Sequence, residues 1–370
     1  MPIRLGPLGL TPTVSVTNLG VDTNVFNSSV DPQQDFTFTA TPRLQARLRS
    51  GRALFSGALA SGFVYYQEFD DQRSIDYSTQ GRADFDLGWF QPYALAERID
   101  TRDRFSAELD LRAPRVSTVI EGGGRMVFTP ATGFRFDARR STVTFEDGQV
   151  YEGVPLSETL NSHTTVLEGG LDLYLTPLTT VTVMVTGQQD RFESSPERDA
   201  DTFRVMPTIR LESPAIIQGT FGIGYRHFDG RNPALPDYTG LVYQGSLSHV
   251  IADRTKVDVG LTRDVQYSFE VAEPYYVTNT VRLGLTHQLR DNIDIRGSAS
   301  RDRLDYHAQT DVAVPANRRD RVDLVSAGFG YRARPNLRVG VDVEYTRRLS
   351  PLAEREYDRT RVLGSVSYGY

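Results

Sequence analysis

The chain has 370 residues, of which 24% are charged, with a net charge of -6 at pH 7 and no cysteine. The acidic balance argues against a nucleic-acid partner, and the lack of cysteine excludes a disulfide framework, a thiolate metal site and a cysteine nucleophile. No run approaches the roughly 18 consecutive apolar residues of a transmembrane helix, yet a mean hydropathy of -0.37 is compatible with strands that show an apolar side chain only every second residue.

Met1-Pro2-Ile3-Arg4 opens the chain without the apolar core of a signal peptide, so the sequence reads as a mature or trimmed form. Residues 1–10 read as a lead-in, followed by a first strand near Thr11–Phe26. From there a two-residue period, the signature of strands, returns throughout. Phe36, Phe38, Ala40, Pro42 and Leu44 oppose Thr37, Thr39, Arg43 and Arg47, and Ser50-Gly51 makes a turn. Thr79, Gly81, Ala83, Phe85, Leu87 and Trp89 oppose Arg82, Asp84 and Asp86, with the next turn expected at Pro92. Leu95 and Ile99 lead to a charged loop at Thr101–Arg112, with Arg98 expected on the polar face.

Ile120, Gly122, Gly124 and Phe128 precede a Thr129-Pro130 turn, and Phe134 and Phe136 then oppose Arg135, Asp137 and Arg139. A longer loop covers Asp147–Asn161, before Leu167–Leu175 and Val181–Val185. Phe203–Leu211 carries Arg204 and Arg210 on its other face, and Ser213-Pro214 turns the chain into Phe221–Tyr225 with Arg226. Leu241–Leu247, Val257–Tyr267, Val281–Leu285 with Arg282, and Ile293–Ala299 with Arg296 follow. Beyond a loop near residue 313, Val325–Tyr331 turns into Leu337–Tyr345 with Arg338. The last stretch sets Val362, Val366, Tyr368 and Tyr370 against Arg359 and Arg361, and a chain ending in a strand on an aromatic resembles the C-terminal signal of outer-membrane barrels.

This makes about 18 strands, joined alternately by short turns and longer polar loops, the pattern of a transmembrane barrel with short periplasmic turns. The alternating runs are about 9–14 residues long, well above the usual 5–6 of globular proteins, and no blade signature of a β-propeller recurs. A ring of that size is too wide to fill with side chains, so its interior is wet and its apolar exterior needs lipid. The expected fold is therefore all-β: one transmembrane antiparallel up-and-down β-barrel spanning residues 1–370, rather than a soluble sheet protein.

The pore-facing phase carries the candidate contacts for a polymer or solute: Arg43, Arg47, Arg82, Arg135, Arg139, Arg204, Arg210, Arg226, Arg282, Arg296, Arg338, Arg359 and Arg361. Guanidinium groups form fixed, bidentate contacts with anionic groups, while the interleaved carboxylates also allow a cross-strand salt-bridge lattice. Trp89, Tyr225, Tyr345, Tyr368 and Tyr370 are the candidate membrane-interface aromatics. No catalytic constellation, metal motif or cofactor motif stands out, and the five histidines are scattered. Thr101–Arg115 and Asp147–Asn161 are the loops best suited to fold inward. The Gly122-Gly123-Gly124 run lies mid-strand, where a close backbone contact or a bend in the wall is expected.

Three N-terminal stretches, Thr11–Phe26 with its Asp22-Thr23-Asn24-Val25-Phe26 motif, Asp35–Pro42 and Gly62–Phe69, resemble the β-barrel porin family of Gram-negative outer membranes associated with exopolysaccharide export. The resemblance covers the first fifth by motif and the rest by architecture. It implies a non-enzymatic conduit in the outer membrane, set among its lipid by the barrel assembly machinery, that passes an exopolysaccharide delivered by a periplasmic polysaccharide export protein. Two other readings stay open: a passive porin or small-solute diffusion channel, and a structural or adhesive barrel with a plugged lumen.

Overall fold

In the computed structural model, residues 3–212, 217–309 and 318–369 are described. The turn expected at Ser213-Pro214, the loop near residue 313 and Tyr370 lie outside them. The period-two segments become β1 (Ile3–Leu5), β2 (Leu8–Asp22), β3 (Asp35–Ser50), β4 (Ala53–Tyr66), β5 (Ser74–Phe85), β6 (Phe90–Thr101) and β7 (Arg115–Thr129). They continue as β8 (Thr132–Phe145), the two-residue β9 (Val150–Tyr151) and β10 (Val154–Pro155), β11 (Ser162–Thr176), β12 (Thr179–Phe192), β13 (Ala200–Glu212) and β14 (Gln218–Gly230). The second half comprises β15 (Tyr238–Ile251), β16 (Thr255–Tyr267), β17 (Tyr275–Arg290), β18 (Ile293–His307), β19 (Arg319–Arg334), β20 (Leu337–Leu349) and β21 (Tyr357–Tyr368). The one α-helix among the described residues is a single turn, α1 (Leu156–Leu160).

Each long strand pairs antiparallel with its neighbours in sequence, and β2 pairs with β21, so the sheet closes on itself. The sheet counts 19 strands; setting aside β1, a flap that pairs only with the start of β2, leaves a ring of 18. Closure removes the free edge that an open sheet would present to lipid. The first wall strand is Leu8–Asp22, shifted toward the N-terminus from the expected Thr11–Phe26.

The Asp22–Phe26 motif proves to be the weld at this closure. The Asp22 carboxylate pairs with Arg359 of β21 and accepts the Asn24 N–H at 3.1 Å. The Asn24 amide donates to the Asp358 carbonyl at 3.2 Å, and the Thr23 N–H to the Thr360 carbonyl at 3.0 Å. These contacts take over where the β2–β21 ladder, which ends at Asp22 and Arg361, runs out.

One turn differs from expectation. The chain reverses at Asp86–Trp89, where Gly88 takes φ +88° and donates its N–H to the Asp86 carboxylate at 3.0 Å. Only glycine takes that conformation without a steric cost. Pro92 lies inside β6, paired across from Gly124, so it marks no turn. The Ala252–Asp253 turn between β15 and β16 has both residues at positive φ, the geometry that matches strand twist in two-residue hairpins.

Cross-strand partners point to one face, and the paired rows separate outside from inside. Leu283, Ala299, Val325 and Tyr345 form one row on the outer face, where Leu283 and Val325 are each more than half exposed. Arg98 is paired with Thr79 and Thr118, in phase with the exposed Tyr77 and Ile120. It therefore faces outward, contrary to expectation, and the side chains of Leu95 and Ile99 take the inner face of that strand. The mostly hydrophobic buried clusters lie at the long-loop end, not between layers; one joins Leu109, Ala113, Phe145, Leu156, Leu160 and Phe269.

The glycine run on β7 is a close-contact site. A Cβ on Gly123 would collide with the Asp137 carboxylate and with the Phe136 carbonyl, whereas one on Gly122 would meet nothing nearer than 3.8 Å. Gly123→Val is expected to destabilise the folded barrel by about 1–3 kcal/mol, with Gly122→Ala close to neutral. Urea unfolding in detergent micelles measures the difference.

Candidate functional site

The inner face encloses a polar lumen, and the long-loop mouth is crossed by residues 102–114, which run between β6 and β7. Those strands are fifth and sixth in the ring, while β16 and β17, which the segment touches, are thirteenth and fourteenth, nearly opposite. The segment lies across the opening as a strap. Its midpoint, Glu108–Asp110, is buried. The Glu108 carboxylate accepts the Ser268 hydroxyl at 2.6 Å and the Phe269 N–H at 3.2 Å on the β16–β17 loop. Leu109 packs against Phe145, Leu156 and Phe269, so the 146–161 loop folds inward beside it.

Arginines from the far wall hold the strap by its backbone. Arg348 of β20 donates to the Ala107 and Glu108 carbonyls at 3.1 Å each and to Asp110 at 2.7 Å. Its other nitrogen reaches Asp320 at 2.6 Å. Arg355 donates to the Glu108 carbonyl at 2.7 Å, and Arg318 joins Asp320, Glu273 and Glu270 into the same network. Asn27 and Tyr357 donate to Asp110 at 2.9 and 3.2 Å. Burying guanidinium groups is tolerable only when carboxylates and carbonyls saturate them. Sequence reasoning missed Arg348, although the inward phase of Arg338, Asp342 and Glu344 extends to it. Arg318 and Arg355, in loops, carry no periodic signal.

Burial pushes the Glu108 carboxyl from its ordinary 4.5 up to about 7, opposed by the Ser268 hydroxyl and Arg355 and reinforced by Glu270. The strap is thus a dock whose central acid favours the protonated form.

Below the strap, the sequence-predicted arginines fall into two groups. Most are paired: Arg82 with Asp84 at 2.8 Å, Arg135 with the buried Asp172 at 2.7 Å, and Arg226 with Asp264 at 2.5 Å. Arg204 contacts Glu168 at 3.2 Å, Arg282 contacts Asp302 at 3.8 Å, and Arg296 reaches Asp342 at 3.2 Å. Arg338 contacts Asp294 at 2.5 Å, Arg359 pairs with Asp22, and Arg361 pairs with Glu344. Four of these pairs join strands two apart and four join neighbours, which braces the wall from within. In contrast, no carboxylate among the described residues lies within pairing distance of Arg43, Arg47, Arg139 or Arg210, and each lines a cavity of the lumen wall.

A cavity in the short-turn half of the lumen, beside β2–β5, has a volume of about 590 Å³. Arg4, Arg43, Arg47 and Arg82 line it together with Gln45, Gln80, Ser56 and Thr11, and no acid contributes. Higher up, a cavity of about 460 Å³ mixes Arg125, Arg135, Arg139 and Arg210 with Asp84, Glu121, Asp137 and Glu168. Directly under the strap, a third of about 580 Å³ holds Asp22, Asp76, Asp103, Arg104, Arg112, Arg359 and Arg361. The short-turn end therefore has one purely basic sector, beside β2–β5, while its cavities beside β7–β13 and β15–β20 bring in Glu212, Asp253 and Asp294, and the region under the strap is mixed. Four predicted interface aromatics, Trp89, Tyr225, Tyr345 and Tyr368, are exposed on the outer face, with Trp89 at a short turn and the Tyr345 hydroxyl bonded to Asp358 at 2.5 Å.

Comparison with known proteins matches a family model described as putative beta-barrel porin 2 to residues 2–369. No curated protein matches. Among solved structures, OccK3 (OpdO) of Pseudomonas aeruginosa is 11% identical with a TM-score of 0.52, covering 97% of this chain and 95% of that one. The outer membrane protein opdK of the same organism is 10% identical with a TM-score of 0.53, covering 98% and 99%. At such identities the likeness is one of fold.

The Glu108 site predicts pH-dependent closure. An acid whose folded pKa exceeds its ordinary value stabilises the docked state fully below pH 4.5, and that contribution is lost as pH rises through about 7. The swing is on the order of 3 kcal/mol. Single-channel recordings should show more frequent or larger openings at pH 8 than at pH 5, and Glu108→Gln should abolish the difference. Arg348→Ala, which frees the strap backbone, should raise conductance at both pH values.

Proposed function

The chain belongs to the putative beta-barrel porin 2 family, a barrel of the Gram-negative outer membrane, and from that premise we propose that it is a gated conduit for an anionic exopolysaccharide leaving the cell. The reading rests on one observation: at the short-turn end, one of the lumen cavities, beside β2–β5, is walled by four arginines and no acid. Polar and charged rings set what a pore admits. A basic sector of the entrance draws in a polymer that carries carboxylate, sulfate or phosphate groups, and the mixed walls around and above it let the chain move on without being held. Glutamine, serine and threonine beside the arginines supply neutral partners for sugar hydroxyls. The strap closes the far end between transport events, and a periplasmic polysaccharide export protein docked on the short turns would deliver the polymer to the basic entrance.

A passive channel for small anions is the second reading, and the strap favours it, because a loop docked across the mouth leaves room for small solutes sooner than for a polymer.

Planar-bilayer recordings test both. Wild-type channels should prefer chloride over potassium in a salt gradient, and Arg43→Gln with Arg47→Gln and Arg82→Gln should shift the reversal potential toward zero. An anionic oligosaccharide added from the short-turn side should interrupt the current at lower concentration than a neutral oligosaccharide of equal length. Anion preference without polymer block identifies the small-solute channel. A channel with no anion preference would overturn both readings.

A further inference from the structure

Above the apolar belt on β18 and β19, the outer face of the barrel turns basic. Along β18 the outward residues run Ile293, Ile295, Gly297 and Ala299, then Arg301, Arg303 and Asp305. Along β19 they run Tyr331, Phe329, Ala327 and Val325, then Asp323, Arg321 and Arg319. The register places Arg301 beside Val281, which is 42% exposed on the outer face, and beside Asp323. The inward partners on the same strands, Leu304, Tyr306, Asp320 and Val322, are buried beneath the mouth, which confirms the outward phase of the arginines.

The four arginines are not simply neutralised. Asp305 accepts the Nε of Arg303 at 3.0 Å and that of Arg319 at 2.6 Å. Asp323 accepts the Nε of Arg301 at 2.6 Å and forms an ion pair with Arg321, whose Nε lies 2.9 Å away. Each aspartate is thus shared by two guanidiniums, so each triad keeps one positive charge. Every one of these contacts engages Nε. Among the described residues the terminal nitrogens of all four make no hydrogen bond, and their side chains are 42–59% exposed. Two carboxylates therefore orient four guanidinium forks outward at one level of the wall. A charge in the middle of the apolar layer is costly, and that cost falls to little at the interface. A cationic cluster at this height faces the headgroups of the outer leaflet.

We propose that the two Arg-Asp-Arg triads on β18 and β19 form a binding site for the phosphate-bearing headgroup of an outer-leaflet glycolipid. The planar fork matches phosphate oxygens bidentately. The shared aspartates keep the site from repelling itself while leaving a net charge of +2, from four arginines and two aspartates. The inference is independent of what the lumen carries, since it concerns the opposite face of the wall.

Native mass spectrometry of the intact barrel in mild detergent, titrated with bis-phosphorylated lipid A and with its dephosphorylated form, tests the site. The phosphorylated lipid should bind at least about tenfold more tightly, and the preference should fall with added salt. The combined Arg301→Gln, Arg303→Gln, Arg319→Gln and Arg321→Gln variant should lose the preference, whereas Arg98→Gln, outward but outside the patch, should keep it. If the fourfold variant fails to assemble, Arg303→Gln and Arg319→Gln separately should each weaken binding, because both share Asp305. Equal retention of the two lipids, an unchanged fourfold variant, or competition by millimolar inorganic phosphate as strong as by the lipid would overturn the proposal. So would a dimer that the same substitutions dissolve in place of lipid binding.

Discussion

Hydrocarbon offers no hydrogen-bonding partner, so every backbone amide at membrane depth has to be paired within the wall. The closed ring of antiparallel strands meets that demand, and much else follows from it. Closure brings the first and last wall strands together, which is why Asp22, Asn24 and Arg359 cluster at the seam. Alternation then assigns each strand one face to lipid and one to water. A ring of this width cannot be filled by side chains, so the inner face becomes a place where charge can be displayed at low cost.

The charges on that face do two different jobs. Pairs such as Arg135 with Asp172 or Arg226 with Asp264 satisfy one another and brace the wall; partly exposed pairs contribute little net stability each. Arg43, Arg47, Arg139 and Arg210 have no carboxylate within pairing distance among the described residues, and each lines a cavity of the lumen. At the mouth the balance differs again. Arg348 and Arg355 are buried, and each donates to backbone carbonyls of the strap as well as to carboxylates, Arg348 to Asp110 and Asp320 and Arg355 to Glu152. That arrangement makes closure depend on a few contacts that can be undone together, with Glu108 as the member that titrates near neutrality.

The outer face repeats the same economy at a different height. Asp305 and Asp323 each hold two arginines by Nε and leave the forks pointing away from the barrel. Inside the barrel a carboxylate mostly closes a contact between strands; outside, at the headgroup level, it sets the orientation of a contact left open.

Much of this was legible in the chain. A strand's side chains alternate whatever surrounds them, so period two by itself determined the all-β fold, the strand succession, the face of nearly every arginine and the alternation of short and long connections. It failed locally where one residue overrode the pattern. Pro92 looked like a turn but sits in a strand, because the reversal was already made at Gly88. Arg98 looked pore-facing because Leu95 and Ile99 suggested the wrong phase, and only its pairing with Thr79 corrected it. Which aspartate each arginine meets depends on strand register, and what residues 102–114 touch depends on which strands lie across the ring. Those are distances between residues tens to hundreds of positions apart, such as Arg348 and Ala107. No local period encodes them, so only the closed barrel could decide that a strap lies across the mouth and that four arginines line one cavity of the lumen without an acid.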